Sequence, residues 1–210
     1  IILSTPLDKT AQIIEDLSKI KTQALVVDIC SLKSQILKTI LAATKSGMRI
    51  CSIHPMFGPQ AEFLSGKKIL ICHHSATAKA EKEVQEYFKY TAAEIIPIDL
   101  EKHDEVVGYL LGLSHLLNHI FANALSRSEF LFAELSKISS TTFEKQVQVT
   151  LPVVHENENL YFDIQRLNDF KDTVISRLET SLADFKQSIL KNDKNAFIKL
   201  VEQSRKYLDI

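Results

Sequence analysis

Apolar residues follow two different patterns along the chain, and the change falls close to residue 99. Before it, short apolar runs alternate with segments whose apolar residues recur every three or four positions. Short apolar runs are typical of buried strands and the second spacing is typical of amphipathic helices, so this half predicts a mainly parallel α/β sheet. The predicted strands are 1–3, 24–29, 49–53, 68–72 and 94–98, and the predicted helices are 9–20, 34–45 and 78–90.

After residue 99 the strand pattern nearly disappears, and a second, all-helical domain is predicted. The segment 105–126 is apolar on almost every face, which predicts a buried helix. Small residues within it, such as Gly108 and Gly112, would let another helix approach closely. We interpret it as a core helix of the second domain, and the same helix could also pack against a second subunit. The other predicted helices are 128–138, 141–154, 159–190 and 194–208.

Composition and charge narrow the class of protein. The chain has 210 residues and a formal net charge of −1. It can therefore form one large or two small domains, and it shows no electrostatic footprint for nucleic acid or an acidic membrane. No apolar run is long enough to span a bilayer, and no signal segment opens the sequence. We expect a cytoplasmic protein without a nucleic-acid or membrane partner.

The cysteines carry information about compartment and metal binding. Cys30, Cys51 and Cys72 lie in or next to predicted strands. An odd count without close pairs favours reduced thiols in the cytosol. A zinc site built from these thiols and nearby histidines is the alternative, but no Cys-x-x-Cys pair supports it. We predict no metal site.

His54 is the first candidate for chemistry. It follows the predicted strand 49–53 and precedes a proline and a glycine that force the chain to turn. A histidine there is expected to be exposed, rigidly held and able to exchange a proton near neutral pH. The preceding strand ends in Asp28, Ser31 and Lys33, and two such strand ends indicate one cleft at the carboxyl edge of a parallel sheet. The competing interpretation of His54 is a loop histidine without a special role.

Several segments also resemble the motifs of one family. His-Pro-Met-Phe-Gly-Pro at 54–59 is similar to the active-site segment of prephenate and arogenate dehydrogenases, the oxidoreductases of tyrosine biosynthesis. Asp-x-x-Ser-x-Lys at 28–33 is similar to the segment that precedes it in that family. Residues 101–105 and 113–115 resemble the family's linker-helix motif, and 160–164 a late helical motif. The matches follow the family's order, which makes them more specific together than any one alone.

The resemblance implies an architecture. A Rossmann-like domain with an N-terminally incomplete parallel sheet is expected at residues 1–99, and an all-α substrate and dimerisation domain at 100–210. The family's G-x-G-x-x-G phosphate-binding loop is not formed by any of the five glycines, and its family position lies ahead of Ile1. We therefore expect that the N-terminal part of the domain is missing, with truncation, disorder and degeneration as open explanations. The choice between NAD and NADP would be made in that part.

The resemblance further implies an NAD- or NADP-dependent oxidoreductase, a homodimer, that removes hydride from prephenate or arogenate with loss of carbon dioxide. The family's catalytic histidine falls on His54, which would accept a hydrogen bond from the substrate hydroxyl. The family's serine falls on Ser31, which is expected to orient that histidine or the hydroxyl. Its lysine falls on Lys33, which is expected to stabilise negative charge nearby.

Other positions are implied as binding residues. Gly58 would let the loop backbone approach the substrate, and Gln60 stands where relatives often carry an acidic residue. His115 falls on a helical histidine near the substrate pocket, although a satisfied histidine at a helix interface explains it equally well. Thr5 and Pro6 would shape the turn under the nicotinamide.

Two departures from the family pattern leave an alternative function open. Family arginines that grip a substrate carboxylate fall on Pro152 and Glu144. Proline donates no hydrogen bond, and glutamate would repel a dicarboxylate. Lys145 or Gln148 could substitute from the same helix. A non-catalytic or regulatory relative is therefore the alternative hypothesis, and a dehydrogenase for another small acid is a third.

Overall fold

The computed structural model describes residues 1–58 and 61–209 and contains one five-stranded sheet. The strands are β1 Ile2–Leu3, β2 Val26–Asp28, β3 Ile50–Pro55, β4 Lys68–His73 and β5 Glu94–Asp99. They lie side by side in sequence order. β1, β2 and β3 are parallel to one another, whereas β4 is antiparallel to β3 and parallel to β5.

The predicted α/β class is confirmed, and one antiparallel pair makes the sheet mixed rather than fully parallel. Parallel neighbours need a crossover that returns the chain to the same edge, usually a helix. The helices α1 Leu7–Lys19, α2 Leu37–Lys45 and α3 Ala78–Phe88 supply these crossovers. Between β3 and β4, the described residues 56–58 and 61–67 contain no helix, and the chain runs back antiparallel.

Helices cover both faces of the sheet. On one face, α1 and α2 pack with strand residues such as Leu3, Val26 and Ile50 in one buried cluster. On the other face, α3 packs against Ile53 and Ile69 in a second cluster. Burial of both faces explains why the strands are near-continuous apolar runs in the sequence.

Three polar side chains lie buried on the face that α1 and α2 cover. Asp28 is paired with Ser52 in the β2–β3 register, and His54 lies two residues further along β3. Because alternate residues of a strand share a face, all three project to the same side. All three are buried, and a buried polar group is costly unless it finds a partner. The partners of Asp28 and His54 define the candidate site, whereas the Ser52 hydroxyl has no hydrogen-bond partner among the described residues.

The remainder of the chain is helical, as predicted. Residues 141–154 and 194–208 form helices with the predicted bounds, and α7 continues through Pro152 without interruption. The predicted segment 159–190 is divided into two helices. Within the described residues, none of the helices has both the length and the apolar character needed to cross a bilayer. The helices are α4 His103–Val107, a π-helical segment Gly108–Leu113, α5 Ser114–Ser126, α6 Phe132–Lys137, α7 Thr141–Val154, α8 Glu158–Leu167, α9 Lys171–Leu190 and α10 Lys194–Leu208.

The predicted buried helix 105–126 is the continuous run of α4, the π-helical segment and α5, and it is only partly buried. Val107, Gly108 and Gly112 are buried, and a Cβ added to Gly108 would lie 3.2 Å from the Val174 side chain of α9. Leu110, by contrast, is 50% exposed. The expectation of complete burial is therefore wrong for the single chain, because helices of the same chain cover only one side of this apolar run.

Candidate active site

His54 lies one residue before the end of β3 and is 3% exposed. The expectation of an exposed histidine is therefore wrong. β3 continues to Pro55, beyond the predicted strand, and α4 contacts it through His103. The histidine is a buried strand residue, and the strand and α4 together fix the position of its ring.

A chain of hydrogen bonds leads from His54 into α4. The Nδ1 atom of His54 lies 3.0 Å from the Nε2 atom of His103. The other ring nitrogen of His103, Nδ1, lies 2.6 Å from an oxygen of Asp104. All three side chains are buried, so the chain is sheltered from water, which strengthens each hydrogen bond electrostatically.

Asp104 also holds the turn that follows β2. Its carboxylate accepts hydrogen bonds from the backbone N–H groups of Lys33 and Ser34, at 2.8 and 2.7 Å, and from the Ser34 hydroxyl at 2.6 Å. Burial acts to raise the pKa of Asp104, but the hydrogen bonds from His103 and Ser34 outweigh it, and the pKa is lowered. Asp104 is therefore an ionised acceptor at neutral pH.

Lys33 is fully buried, and its charge has a partner within the protein. Its Nζ atom donates to an Asp28 oxygen at 2.6 Å and to the Ile53 carbonyl at 2.8 Å. Burial acts to lower the pKa of Lys33, but the Asp28 charge outweighs it and the pKa is raised. The lysine stays charged and ties the end of β2 to β3. Its predicted role towards the substrate stays a prediction.

The electrostatic surroundings keep His54 neutral. Burial lowers its pKa well below the usual 6.5, and the Lys33 charge and His103 lower it further, whereas Asp104 opposes them. Burial likewise lowers the pKa of His103, although the hydrogen bond to Asp104 opposes it. Both imidazoles are therefore uncharged at pH 7, and His54 can accept a proton.

The other residues predicted around His54 have fewer contacts. Ser31 lies half-buried in the turn after β2, and in the described part of the chain its hydroxyl makes no hydrogen bond, to His54 or to any other group. Gly58 lies just after β3, and no atom of the described residues lies within 4 Å of a Cβ added there. Gln60 lies outside the described residues. The predicted roles of these three residues stay predictions.

Thr5 and Pro6 form the turn between β1 and α1, at the carboxyl edge of the parallel strands. The Thr5 hydroxyl lies 2.8 Å from that of Thr10, and the Pro6 carbonyl accepts from the backbone N–H groups of Lys9 and Thr10. No side chain of the described residues caps the start of α1, and the backbone N–H groups of Leu7 and Asp8 make no hydrogen bond there, so these two donors remain available. Backbone N–H groups at such an edge suit the oxygens of a dinucleotide.

His115 lies on α5 among aromatic rings. Its ring centroid is 4.3 Å from that of Tyr161, and the His119 ring also contacts Tyr161. Burial and the neighbouring His119 lower the pKa of His115 to about 4. Its Nδ1 atom is buried, with no hydrogen-bond partner among the described residues. No hydrogen bond in that part of the chain joins His115 to His54.

The two positions that depart from the family pattern both lie on α7 and are exposed. Glu144 accepts a hydrogen bond from the Ser139 hydroxyl at 2.6 Å. Pro152 lies near the end of the helix. Neither position supplies a cation.

The structure contains no arrangement of three or more histidine, cysteine or acidic side chains suited to a metal ion within residues 1–58 and 61–209. The three cysteines are free and buried. Burial raises the pKa of Cys51 far above its usual value and that of Cys72 to about 12, so neither thiol is ionised at neutral pH.

The arrangement presents a neutral histidine, His54, at the carboxyl end of β3. Its Nδ1 atom contacts the Nε2 atom of His103, which is held in place by Asp104. Such a group suits general base chemistry. Sequence reasoning found His54 but gave no role to His103 or Asp104, which lie 49 and 50 positions further along the chain. Both residues lie within the segment 101–105 that resembles the family's linker-helix motif, and that resemblance was the signal available for them.

The fold is that of a protein with a Rossmann-like nucleotide-binding domain, formed by the sheet and its crossover helices, followed by a second domain that is helical. Residues 1–97 match the family described as prephenate dehydrogenase, nucleotide-binding domain, and residues 99–203 match prephenate dehydrogenase, dimerization domain. The chain belongs to the prephenate dehydrogenase family.

Individual relatives agree with this assignment. A probable arogenate/prephenate dehydrogenase of Methanocaldococcus jannaschii is 24% identical over 214 residues, which cover 99% of this chain and 47% of the relative. The chain thus spans about half the length of that curated relative.

Solved structures share the fold. Prephenate dehydrogenase from Aquifex aeolicus is similar with a TM-score of 0.75 at 20% identity, covering 100% of this chain and 76% of that one. The complex of prephenate dehydrogenase from Aquifex aeolicus with hydroxyphenyl propionate and NAD+ has a TM-score of 0.77 at 21% identity, and the match covers 97% of this chain and 73% of that one. Synechocystis arogenate dehydrogenase has a TM-score of 0.74 at 16% identity, and the match covers 100% of this chain and 77% of that one.

Proposed function

We propose that this protein is a prephenate or arogenate dehydrogenase that oxidises and decarboxylates its substrate with NAD or NADP. The observation that carries the proposal is His54, a buried, neutral histidine at the carboxyl end of β3, fixed by His103, in a chain of this family. A neutral imidazole in a rigid position is the group that a substrate hydroxyl needs when its carbon becomes a carbonyl.

The proposed chemistry transfers one proton and one hydride and releases one carbon dioxide. The ring hydroxyl gives its proton to His54 Nε2 while the carbon that carries the hydroxyl loses hydride. The carbon–carbon bond to the ring carboxylate then breaks, its electron pair enters the ring, and the ring becomes aromatic. The bound nicotinamide supplies the acceptor for the hydride.

Thr5 and Pro6 are the residues of this chain that we propose to lie beside the cofactor. They stand at the carboxyl edge of β1, next to the uncapped start of α1, where a dinucleotide would find backbone donors. The relative from Aquifex aeolicus was solved with NAD+, which supports a nicotinamide dinucleotide here.

Ser31 and His115 are proposed to contact the substrate, and Gly58 and Gln60 to shape the loop beside it. The Ser31 hydroxyl makes no hydrogen bond within the described residues, and the buried Nδ1 of His115 lacks a partner there, so both have capacity for a ligand. Lys33 is proposed to act through His54, because its charge is one of the causes that keep the histidine neutral.

We also propose a homodimer, with residues 1–99 as the nucleotide-binding unit and 100–210 as the substrate and dimerisation unit. Leu110, Leu117 and Ile120 leave an apolar side of the π-helical segment and α5 exposed, which a second copy would cover. The match to a dimerization domain supports this arrangement. The buried free thiols suit a reducing compartment, in line with tyrosine biosynthesis in the cytoplasm.

The test follows the absorbance of reduced nicotinamide with the full-length protein. Prephenate and arogenate are each added with NAD and with NADP. Turnover with one pair supports the proposal and names both substrate and cofactor. Absence of turnover with all four pairs, in a protein that unfolds cooperatively, would instead favour the non-catalytic relative.

A further inference from the structure

We propose that Asp104 and His103 are positioning residues that hold His54 in the tautomer protonated on Nδ1, so that the Nε2 lone pair serves the substrate. The inference rests on the proposed function for its catalytic consequence, although the tautomer itself is a property of the protein without substrate. It assigns to these two residues a role that is exerted through His54.

The direction of the hydrogen bonds begins at Asp104. An ionised carboxylate only accepts hydrogen bonds, and the hydrogen bonds from His103 and Ser34 keep Asp104 ionised. The Nδ1 atom of His103, 2.6 Å from that carboxylate, must therefore carry a proton and donate it.

The proton on His103 then decides the tautomer of His54. A neutral imidazole carries one proton, so a His103 that is protonated on Nδ1 has a lone pair on Nε2. That lone pair faces His54 Nδ1 at 3.0 Å, and the contact is a hydrogen bond only if His54 donates from Nδ1. His54 Nε2 is then the unprotonated atom, and no hydrogen bond of the described residues uses it.

The charged groups around the pair keep both rings neutral, which this argument requires. From α4 the facing groups are His103 and Asp104, and from the end of β2 they are Asp28 and Lys33. Burial and the Lys33 charge oppose protonation of both rings, while Asp104 favours it and is outweighed. A doubly protonated His103 would otherwise donate from both nitrogens and reverse the tautomer of His54.

Asp104→Asn provides a test, because the Ser34 donors favour one orientation of the asparagine amide. One Asp104 oxygen, Oδ2, receives the Ser34 N–H and hydroxyl at 2.7 and 2.6 Å, and the Lys33 N–H is shared between Oδ1 at 2.8 Å and Oδ2 at 3.0 Å. With the asparagine oxygen at the Oδ2 position all three donors keep an acceptor, and the NH₂ group faces His103 Nδ1. His103 would then be protonated on Nε2, donate to His54 Nδ1, and leave the His54 proton on Nε2.

The measurement is a long-range ¹⁵N–¹H correlation spectrum of the histidine rings in the ¹⁵N-labelled full chain, with His54→Asn used to assign the His54 signals. We expect protonation on Nδ1 in the parent and on Nε2 in Asp104→Asn. The matched control is Asp99→Asn, whose parent carboxylate accepts only the Glu101 N–H within the described residues, and it should keep the parental tautomer. A parent His54 protonated on Nε2 would overturn the proposal, whether or not Asp104→Asn folds.

Measurements of turnover show whether a failure concerns the positioning role of Asp104 and His103 or the proposed dehydrogenase activity. We expect Asp104→Asn to lose about 100-fold or more in kcat with little change in KM, because the base is presented with its proton in the wrong place. A parent with the Nδ1 tautomer but no turnover refutes the proposed function and leaves the tautomer standing. An active parent whose Asp104→Asn variant keeps its kcat refutes the positioning role.

Discussion

The Nδ1 atom of His54 lies 3.0 Å from the Nε2 atom of His103, and this contact joins the end of β3 to the first helix after the sheet. His54 would be difficult to move without disturbing α4. The contact also places the histidine out of water, which is the main reason that its pKa falls below 6.5.

The burial of His54 should determine how kcat/KM falls at acid pH. We expect kcat/KM to remain constant as the pH is lowered from 7.5 to 6.5, since a histidine with a lowered pKa stays neutral across that range. Activity should fall only below pH 6.5, where His54 begins to take up a proton. The measurement is initial rate at low substrate concentration over this range.

Protein stability should be followed over the same pH series, so that unfolding is not mistaken for titration. An acid limb centred at or above pH 6.5 in a folded protein would show that His54 is not the neutral base described above.

The buried pair of Lys33 and Asp28 should matter for stability. Lys33→Met leaves the Asp28 carboxylate buried without its cation, and breaking a buried pair from one side costs about 3–5 kcal/mol. We expect a loss of that size in the free energy of unfolding, measured by urea denaturation of the full chain.

Two variants control this prediction. Lys19→Met removes an exposed lysine that pairs with Asp16 at 3.0 Å, and it should have no measurable effect. The double variant Asp28→Leu with Lys33→Met removes both charges and should recover much of the loss. If Lys33→Met were as stable as Lys19→Met, the pair would not have the structural importance assigned to it.

The exposed apolar side of α5 should drive association. Leu117 is 42% exposed in the single chain, and Leu117→Glu would place a charge in the proposed dimer contact. We expect the parent to sediment as a dimer and Leu117→Glu to shift towards the monomer at the same concentration.

Ile20→Glu is the matched change outside that surface, since Ile20 follows α1 and is 72% exposed. It should leave the dimer intact. A monomeric parent, or a Leu117→Glu variant that remains fully dimeric, would exclude this side of α5 as the interface.

Local patterns were sufficient to predict most of the fold. The bounds of α7 and α10 could be read from sequence because each has helical spacing and a capping side chain, Ser140 and Asp193. The strands were recognisable because apolar residues cover both faces. The antiparallel β4 was not, since the direction of a strand depends on its connection and leaves no mark on its own apolar pattern.

The candidate site was only partly predictable. His54 could be named from its motif, but its burial depends on α4, which begins 49 residues later. Because His103 and Asp104 are equally far along the chain, their hydrogen-bonded connection to His54 could not be predicted either. Lys33 appeared available to a substrate because its partner Asp28 faces it only once the turn after β2 has formed. Long-range packing decides these contacts, and no periodicity along the chain records it.

The central claim is that His54 acts as the base in oxidation of prephenate or arogenate. The most direct test compares turnover of the full-length parent, His54→Asn and His73→Asn, the last being an exposed histidine bonded to Glu81 away from the network. We expect an active parent, an unaffected His73→Asn and a loss of about 10²–10⁴-fold in kcat for His54→Asn. A His54→Asn variant as active as the parent would contradict the account.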